Sequence, residues 1–366
     1  MIQKRTIHFV LSLLGLLGPQ TGHTQNCPLG PAGQALSPVA DQSKNQIVQT
    51  ASNLIEIPVY ESLPGDLPGL RPFAILGDTQ RTMDVESAIG REVNEKESQS
   101  LIRNLAREKP EFLVLLGDLT NFGASSDEWE LFDSWMKPLR DQKIPVLPVF
   151  GNHDYWGWDL LANRNMESRF PVLKPRHWYS QKYGYVGMIF LDSNYADLTE
   201  KQWTDQLAWY ESELKKWDGD KAVRYVLTFA HHAPYSNSTV TSDDERIQKD
   251  FVSRMKKSAK ATAMINGHVH SYERFLIDGK SFVISGGGGG PRVELQKGQE
   301  ARHHDLVQGE SPRPFHYLWV TLKPAGLQVE VRGFQKADPT VRTIDTFKYL
   351  GQDGTPFSIK KASHTH

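Results

Sequence analysis

Apolar runs rich in strand-forming residues alternate with helical stretches through the middle of this chain, and that alternation limits the folds open to it. The apolar runs cover residues 72–76, 112–116, 144–150, 187–191, 224–229 and 261–265. Helical periodicity marks two of the intervening stretches, through Trp129, Phe132, Met136 and Leu139, and through Trp203, Leu207, Tyr210, Leu214 and Trp217. Thr199 is well placed as the N-cap of the second stretch. Near-continuous apolar strands that alternate with helices predict a largely parallel sheet covered on both faces.

The last third of the sequence has a different pattern. Residues 281–285, 315–322 and 327–334 read as strands, and the last two are joined by a Lys-Pro-Ala-Gly turn at 323–326. We therefore predict a second, more antiparallel sheet that packs on the first. Residues 335–366 carry scattered aromatics without a clear period, so they are predicted to be a C-terminal tail, and 71–334 to be the main domain.

Five short polar segments stand where predicted strands end. They are Gly77-Asp78-Thr79-Gln80, Gly117-Asp118-Leu119-Thr120-Asn121, Gly151-Asn152-His153-Asp154, His231-His232-Ala233-Pro234 and Gly267-His268-Val269-His270. A single Gly-Asp after a strand is usually a turn. In an open parallel sheet, however, ligands collect beyond the carboxyl ends of the strands, and five such placements favour a site. Oxygen ligands mixed with imidazoles suit two divalent ions held close together.

Composition narrows the class of protein further. The chain has 366 residues, of which 39% are hydrophobic and 23% charged, as in ordinary globular proteins. Its net charge of −1 gives no basic footprint for nucleic acid or for an anionic membrane. Cys27 is the single cysteine, so no disulfide forms within the chain.

The N-terminus is typical of a secretory signal peptide, predicted over residues 1–24. Lys4 and Arg5 precede an apolar run at 7–17 that is too short to span a bilayer, and no later segment is long and apolar enough. An uncleaved amphipathic anchor is the alternative. Lipid attachment at Cys27 is disfavoured, because Thr-Gln-Asn precedes it. We expect an exported protein, periplasmic or secreted, with an extended arm at 25–70 that holds one weak strand candidate at 54–60.

The motifs resemble those of the calcineurin-like metallophosphoesterase superfamily, and the segments 268–274 and 232–236 resemble its purple acid phosphatase branch. The similarity runs from about Arg71 to Phe334. It implies an α/β (α+β) fold, a four-layer β-sandwich of two mixed sheets flanked by helices. It also implies a hydrolase that acts on small phosphorylated substrates.

The resemblance implies a role for each motif residue. One metal is expected at Asp78, Asp118 and His270, and the other at Asp118, Asn152, His231 and His268. Asp118 would bridge the two ions, and a water between them would attack phosphorus as hydroxide. His153 is the expected proton donor to the leaving group, and Asp154 the residue that orients its imidazole.

Two positions depart from the family pattern. Gln80 stands where the family usually has a histidine ligand, so its carbonyl is expected to hold the first metal more weakly. Asn121 stands where purple acid phosphatases have a tyrosine. Two divalent ions, Mn, Fe(II) or Zn, are therefore expected rather than a coloured Fe(III) centre.

The substrate contacts are less constrained by the motifs. His231 and His232 compete for one ligand position, and we expect His231 to bind metal and His232 to face phosphate. Asn121 and Tyr272 are further expected substrate contacts. The glycine run 286–290 could cradle phosphate or make a tight turn beside the metals. Trp156 and Trp158 could form an aromatic wall for the organic group of a substrate, or pack in the core.

The expected function is that of an exported metal-dependent phosphoric ester hydrolase, of the acid-phosphatase-like phosphomonoesterase kind. Two alternatives stay open. One is a phosphodiesterase acting on nucleotides or lipid head groups, because the pocket walls, expected at 155–175 and 235–245, match no motif. The other is a secreted binding protein that keeps the fold without turnover.

Overall fold

The computed structural model describes residues 57–350, except 68, 70, 308 and 310, and the backbone of 358–361. The predicted signal peptide, Cys27 and most of the predicted arm lie outside the described residues. The described part of the arm contacts the domain, since Tyr60 donates from its hydroxyl to Asp133 at 2.9 Å and its amide donates to the Arg169 carbonyl. Residues 57–60, the described part of the strand candidate, form no strand.

Two mixed sheets form the centre of the described chain. Sheet I has the order β13-β12-β11-β10-β1-β2-β3, and sheet II the order β4-β5-β6-β7-β9-β8. The strands are β1 (Phe73–Leu76), β2 (Leu113–Leu115), β3 (Val146–Pro148), β4 (Tyr179–Tyr183), β5 (Val186–Phe190), β6 (Tyr225–Ala230), β7 (Ala261–Asn266), β8 (Tyr272–Ile277), β9 (Lys280–Ser285), β10 (Phe315–Lys323), β11 (Gly326–Gln335), β12 (Asp338–Leu350) and β13 (Ser358–Lys361). Strands β1 to β3 are parallel, as are β5, β6, β7 and β9.

Helices cover the outer faces of the two sheets. They are α1 (Asp84–Ala88), α2 (Glu95–Glu108), α3 (Ser126–Arg140), α4 (Asn152–Tyr155), α5 (Asp159–Arg169), α6 (Glu200–Gly219), α7 (Glu245–Ile247) and α8 (Ser253–Met255), with a π-helical turn at Gln248–Val252 and 3₁₀ turns at Pro171–Leu173 and Gly298–Glu300. Thr199 caps α6 as predicted, because its Oγ1 accepts from the Gln202 amide at 3.2 Å and the Gln202 side chain accepts from the Thr199 amide.

Alternation along the strands explains the layering. In β5, Met188 and Phe190 belong to the core shared with sheet I, whereas Ile189 packs with Trp203 and Leu214 of α6. Side chains of a strand point alternately to opposite faces, so sheet II lies between sheet I and α6. Helices α2 and α3 contribute to the core on the sheet I side. The predicted four-layer arrangement of two mixed sheets with flanking helices is confirmed.

The division of strands between the sheets differs from the expectation. We expected one parallel sheet from the early strands and a separate sheet from the last third. Instead β10 pairs antiparallel with β1, with Phe73 opposite Val320, and β9 pairs parallel with β7. Both faces of these strands are largely buried, so their sequences do not indicate which strand lies beside them.

The predicted tail is also corrected in part. Residues Asp338–Leu350 form β12, which pairs with β11 over most of its length. Polar residues dominate the start of this strand, and only Phe347 and Tyr349 are buried. Only the end of β12 packs on the core, so the apolar alternation is confined to Phe347 and Tyr349 and the pattern is weak. Among the described residues, no helix has the length and hydropathy needed to cross a bilayer.

Candidate metal centre

The five polar segments converge between the carboxyl ends of strands from both sheets. Two groups of side chains have ligand atoms within 4.8 Å of one another: Asp78, Asp118 and His270 in one, and Asp118, His231 and His268 in the other. Asp118 belongs to both groups. The oxygen donors follow strands of sheet I, and the imidazoles follow strands of sheet II.

The backbone at this site is held in an unusual conformation. Asp78, Asp118 and His268 have φ values of 59°, 51° and 67°. Non-glycine residues rarely adopt this left-handed region, and such residues concentrate at functional sites. Gly151 makes the close packing possible, because a Cβ there would lie 2.2 Å from Asp118 Oδ1.

Asp118 is the most highly connected carboxylate of the site. Its Oδ1 accepts from the His153 amide at 2.8 Å, and its Oδ2 lies 3.3 Å from His231 Nε2. Burial raises the pKa of Asp118, but the nearby His231 and His153 outweigh burial and hold it below its ordinary value. These neighbours favour the ionised carboxylate, which is the state a bridging ligand needs.

The histidines point ring nitrogens into the site. His231 Nδ1 donates to the Leu116 carbonyl at 2.8 Å, and His270 Nδ1 donates to the Pro291 carbonyl at 2.9 Å. Each bond fixes the tautomer and leaves the Nε2 lone pair free for a metal. Burial lowers the pKa of His270 to about 4 and that of His268 well below its ordinary value. For His231, burial lowers the pKa but Asp118 outweighs it, giving a value of about 9. A metal ion that binds His231 at Nε2 must therefore displace a proton.

Buried polar atoms without partners test whether these residues fit metal ions. Among the described residues, Asp78 Oδ2 and Gln80 Oε1 are buried and accept no hydrogen bond. Burial also raises the pKa of Asp78. Leaving such oxygens unpaired is costly in a protein interior. Asn152 Oδ1 lies 3.1 Å from His231 Nε2, so a further oxygen faces the same space. This mixture of oxygen and imidazole donors fits a pair of divalent cations.

Gln80 lies within this cluster. Its Nε2 is 3.2 Å from His270 Nε2 and 3.4 Å from Asp118 Oδ2. The side chain therefore reaches the first group of ligand atoms, and its unpaired Oε1 is the atom that can bind a cation.

His153 lies beside the ligand groups, neither of which includes it. Its Nδ1 donates to the Asn121 carbonyl at 3.0 Å, and its ring lies 3.8 Å from the Trp156 ring, between centroids. Asn121 thus acts here through its backbone carbonyl. The Nε2 of His153 remains for a substrate.

The expected role of Asp154 is corrected. Its Oδ1 accepts from the Leu119 and Thr120 amides at 2.9 and 3.3 Å, and its Oδ2 accepts from the Gly151 amide at 3.0 Å. The carboxylate joins the segments that follow β2 and β3 and does not contact the His153 imidazole, because it sits beneath the loops as an acceptor for their amides. Burial and the Asp118 charge raise the pKa of Asp154 to about 7.

Of the predicted substrate contacts, His232 lies beside the ligand groups, whereas Tyr272 does not face the site. His232 lies outside both ligand groups; its Nδ1 is 2.9 Å from Ser193 Oγ, and it lines a cavity of about 1120 Å³ with His268. Tyr272 is corrected: its side chain is buried in β8, and its hydroxyl donates to Asp345 at 2.8 Å. Strand alternation turns Tyr272 into the core rather than toward the site.

Three amides of the glycine run hold it against the segments that follow β1 and β7. The amides of Gly286, Gly288 and Gly290 donate to the carbonyls of Ser271, Gly77 and Asp78, at 2.9 to 3.1 Å. Amides already used in this way are not free for an anion.

Two contributors were missed at the sequence level. Ser193 orients His232, and the Pro291 carbonyl orients His270. Ser193 follows β5 in the same manner as the recognised polar segments follow their strands, so strand-end position could have identified it. Pro291 acts through its backbone carbonyl, which every residue has, so the sequence cannot indicate this role.

A comparison with models of known protein families identifies the family of this chain. The calcineurin-like phosphoesterase model matches residues 71–272, more than half of the chain. The chain belongs to the calcineurin-like phosphoesterase family.

Curated relatives are purple acid phosphatases and a phosphodiesterase. The chain is 24% identical over 296 residues to purple acid phosphatase 15 of Arabidopsis thaliana, covering 69% of this chain and 50% of that protein. It is 28% identical over 189 residues to a probable cyclic nucleotide phosphodiesterase of Fibrobacter succinogenes, covering 51% and 66%. The chain thus spans about half the length of the purple acid phosphatases it matches.

A solved structure supports the fold. The purple acid phosphatase PPD1 from yellow lupin (Lupinus luteus) seeds superposes with a TM-score of 0.59 at 18% identity, covering 75% of this chain and 52% of that chain. At this identity the likeness concerns the fold.

Proposed function

We propose that this protein is a metal-dependent phosphoric ester hydrolase that acts as a phosphomonoesterase on small organic phosphates. The observation that carries the proposal is the pair of ligand groups that share Asp118 and leave Asp78 Oδ2 buried without a hydrogen bond. Family membership and the similarity to purple acid phosphatases support it.

The proposed ligands divide between two sites. Asp78, Gln80 and His270 serve the first with Asp118, and Asn152, His231 and His268 serve the second with Asp118. When bound, two divalent cations supply an activated water and neutralise charge on the phosphoryl group. We expect Mn, Fe(II) or Zn.

The residues of the chain orient the ester around that centre. His153 donates from Nδ1 to the Asn121 carbonyl, and in its imidazolium form it also carries on Nε2 the proton that passes to the leaving oxygen. His232 is fixed by Ser193, which accepts from the His232 amide and contacts its Nδ1, each at 2.9 Å. Its Nε2 can therefore donate to a phosphoryl oxygen.

A phosphodiesterase is the second candidate. The cavity of about 1120 Å³ beside His232 and His268 has room for a second ester group, and one relative bears a phosphodiesterase name. The third candidate is a binding protein that keeps the fold without turnover. Only Gln80, which replaces the histidine of the family pattern, favours it, so it is the weaker alternative.

Export belongs to the proposal as well. Residues 1–24 carry the signal-peptide pattern, and N-terminal sequencing of the mature protein tests it. A mature chain that begins near residues 22–28 supports export, and an intact Met1 on cytoplasmic protein contradicts it.

A metal-replete activity screen tests the proposed function. Monoesters and diesters with matched nitrophenyl leaving groups are compared on protein loaded with Mn²⁺, Zn²⁺ or Fe²⁺. The proposal expects higher kcat/KM for the monoester. A preference for the diester would favour the phosphodiesterase, and the absence of turnover on every ester with metals bound would favour the binding protein.

A further inference from the structure

Exposed aromatic side chains lie next to His153 and are not used by the proposed chemistry. Phe122, Trp156 and Trp158 are 43%, 38% and 66% exposed. Leu160 and Leu161, at the start of α5, are 67% and 37% exposed. Single exposed apolar residues are common, but a contiguous group at the edge of a site marks a binding surface. We call Phe122, Trp156 and Trp158 the aromatic platform.

The platform is attached directly to the site. The Trp156 ring contacts the His153 ring, with 3.8 Å between centroids and a tilt of 32° between the ring planes. Phe122 lies against the turn that joins the two tryptophans, since a Cβ on Gly157 would come within 2.6 Å of its ring. A group bonded to an oxygen that His153 protonates would therefore extend over these rings.

Hydrogen bonds join the two backbone segments that carry the platform. The amides of Gly123 and Ala124 donate to the carbonyls of His153 and Trp156, both at 2.9 Å. The bond from His153 Nδ1 to the Asn121 carbonyl adds a third link. Buried Trp129 holds the loop from below, donating from Nε1 to the Gly123 carbonyl at 2.7 Å. Preorganised surfaces of this kind bind with little ordering cost.

On the opposite side of the site, near His232, the surface is more polar than the aromatic platform. The cavity beside His232 and His268 is lined by charged side chains, among them Asp243, Glu245 and Lys249. Tyr195, which is 43% exposed, is an aromatic side chain on that wall. The lining is thus mainly polar and charged on the His232 side, whereas exposed aromatic side chains predominate on the His153 side.

We propose that the aromatic platform is a subsite for an apolar organic group on the leaving oxygen, so that the protein prefers phosphate esters of apolar alcohols over those of polar ones. The inference rests on the proposed function for the role of His153. The inference concerns the class of substrate, and a binding measurement can test it without any turnover.

The probe is a pair of non-hydrolysable anions, hexylphosphonate and methylphosphonate, whose Kd values are measured by calorimetry on Mn²⁺-reconstituted protein. The wild type should bind hexylphosphonate roughly tenfold more tightly, which is what burial of about two methylene groups provides. Phe122→Ala and Trp158→Ala should each reduce that ratio to about two- to threefold, with Kd for methylphosphonate unchanged. Neither residue contacts a proposed metal ligand.

Matched variants control for general effects. Leu276→Ala removes another exposed apolar side chain, near the end of β8 that runs away from the site, and should keep the tenfold ratio. Lys249→Ala alters the charged cavity and should also keep the tenfold ratio.

Three results would overturn the inference: a wild-type ratio near one, a ratio that changes with Lys249→Ala but not with Phe122→Ala, or binding to phosphatidylcholine vesicles that Trp158→Ala abolishes. The last would make the platform a membrane contact. Retained selectivity for hexylphosphonate without hydrolysis of hexyl phosphate would contradict the proposed function while supporting the subsite.

Discussion

At the scale of single residues, His153 allows metal binding and catalysis to be tested separately. Its backbone amide contacts Asp118, but its ring turns away to Asn121 and Trp156. A substitution that removes only the ring therefore leaves the ligand atoms of both groups in place.

We predict that His153→Ala keeps both metals and lowers kcat by about 10²–10⁴-fold, the usual size of general acid catalysis. The loss should be greater for alkyl phosphates than for nitrophenyl phosphate, whose leaving group needs little protonation. Metal content and kcat on both esters measure it. Loss of metal, or an equal rate loss on both esters, would mean that the role is assigned wrongly.

Gln80 offers the converse test. Its neutral carbonyl replaces an imidazole in the family pattern, and its Nε2 lies 3.2 Å from His270 Nε2. We predict that Gln80→His tightens the first metal site by about tenfold or more without changing which esters are hydrolysed, because imidazole is a stronger ligand. Competition with a chelator measures the affinity, and Gln80→Ala serves as the control that should weaken it. Unchanged affinity in both variants would remove Gln80 from the ligand set.

At the scale of elements, the glycine run between β9 and β10 determines where His270 sits. A Cβ on Gly290 would lie 2.5 to 2.7 Å from three atoms of the His270 ring. We predict that Gly290→Ala displaces the ring and lowers the metal content toward one ion per chain, with a melting temperature close to wild type. Elemental analysis after desalting and thermal unfolding measure the two effects.

Gly219→Ala is the matched control for that variant. It ends α6, and no described atom lies within 4 Å of its added Cβ. It should keep full metal content. Equal metal content in Gly290→Ala and wild type would show that the ring position is not limiting.

Glu273 connects β8 to the segment after β6, because its carboxylate accepts from Ser236 Oγ and the Asn237 amide, both at 2.8 Å. Burial raises the pKa of Glu273 from 4.5 to about 7. The folded protein thus holds this proton more tightly than the unfolded chain. The resulting stability is complete below about pH 4.5 and is lost as pH rises through about 7.

We predict that Glu273→Gln, which cannot ionise, gains free energy of unfolding relative to wild type by at most about 3 kcal/mol between pH 4.5 and 7.5. Urea unfolding at fixed metal concentration across this range measures the difference. Glu130→Gln, an exposed position on α3, should track the wild type. Parallel curves for Glu273→Gln and wild type would contradict the assigned pKa.

The elements also show what the sequence could reveal. Helix α6 with its Thr199 cap and the strands that precede Asp78, Asp118 and His231 were predictable, because their signals are local. The pairing of β10 with β1 was not, since it joins residues far apart along the chain. The contacts of Asp154 and Tyr272 were equally hidden, because the direction of a side chain depends on neighbours that only the fold provides.

At the scale of the whole molecule, the site depends on the packing of one sheet against the other. Asp78, Asp118 and Asn152 follow strands of sheet I, whereas His231 and His268 follow strands of sheet II. Neither sheet alone supplies both the oxygen and the nitrogen ligands. Metal ions that bind here should therefore stabilise the packed pair of sheets, because they bind the folded state and not the separated ligands.

The most direct test of this account follows metal content and turnover together on one preparation. Protein stripped with EDTA is titrated with Mn²⁺, Zn²⁺ or Fe²⁺ while bound metal and phosphomonoesterase rate are measured. We predict no turnover in the stripped protein, full recovery at about two ions per chain, and neither full occupancy nor recovery in Asp118→Asn, where the shared charge is lost. Full turnover in protein shown by elemental analysis to contain no metal would contradict the account.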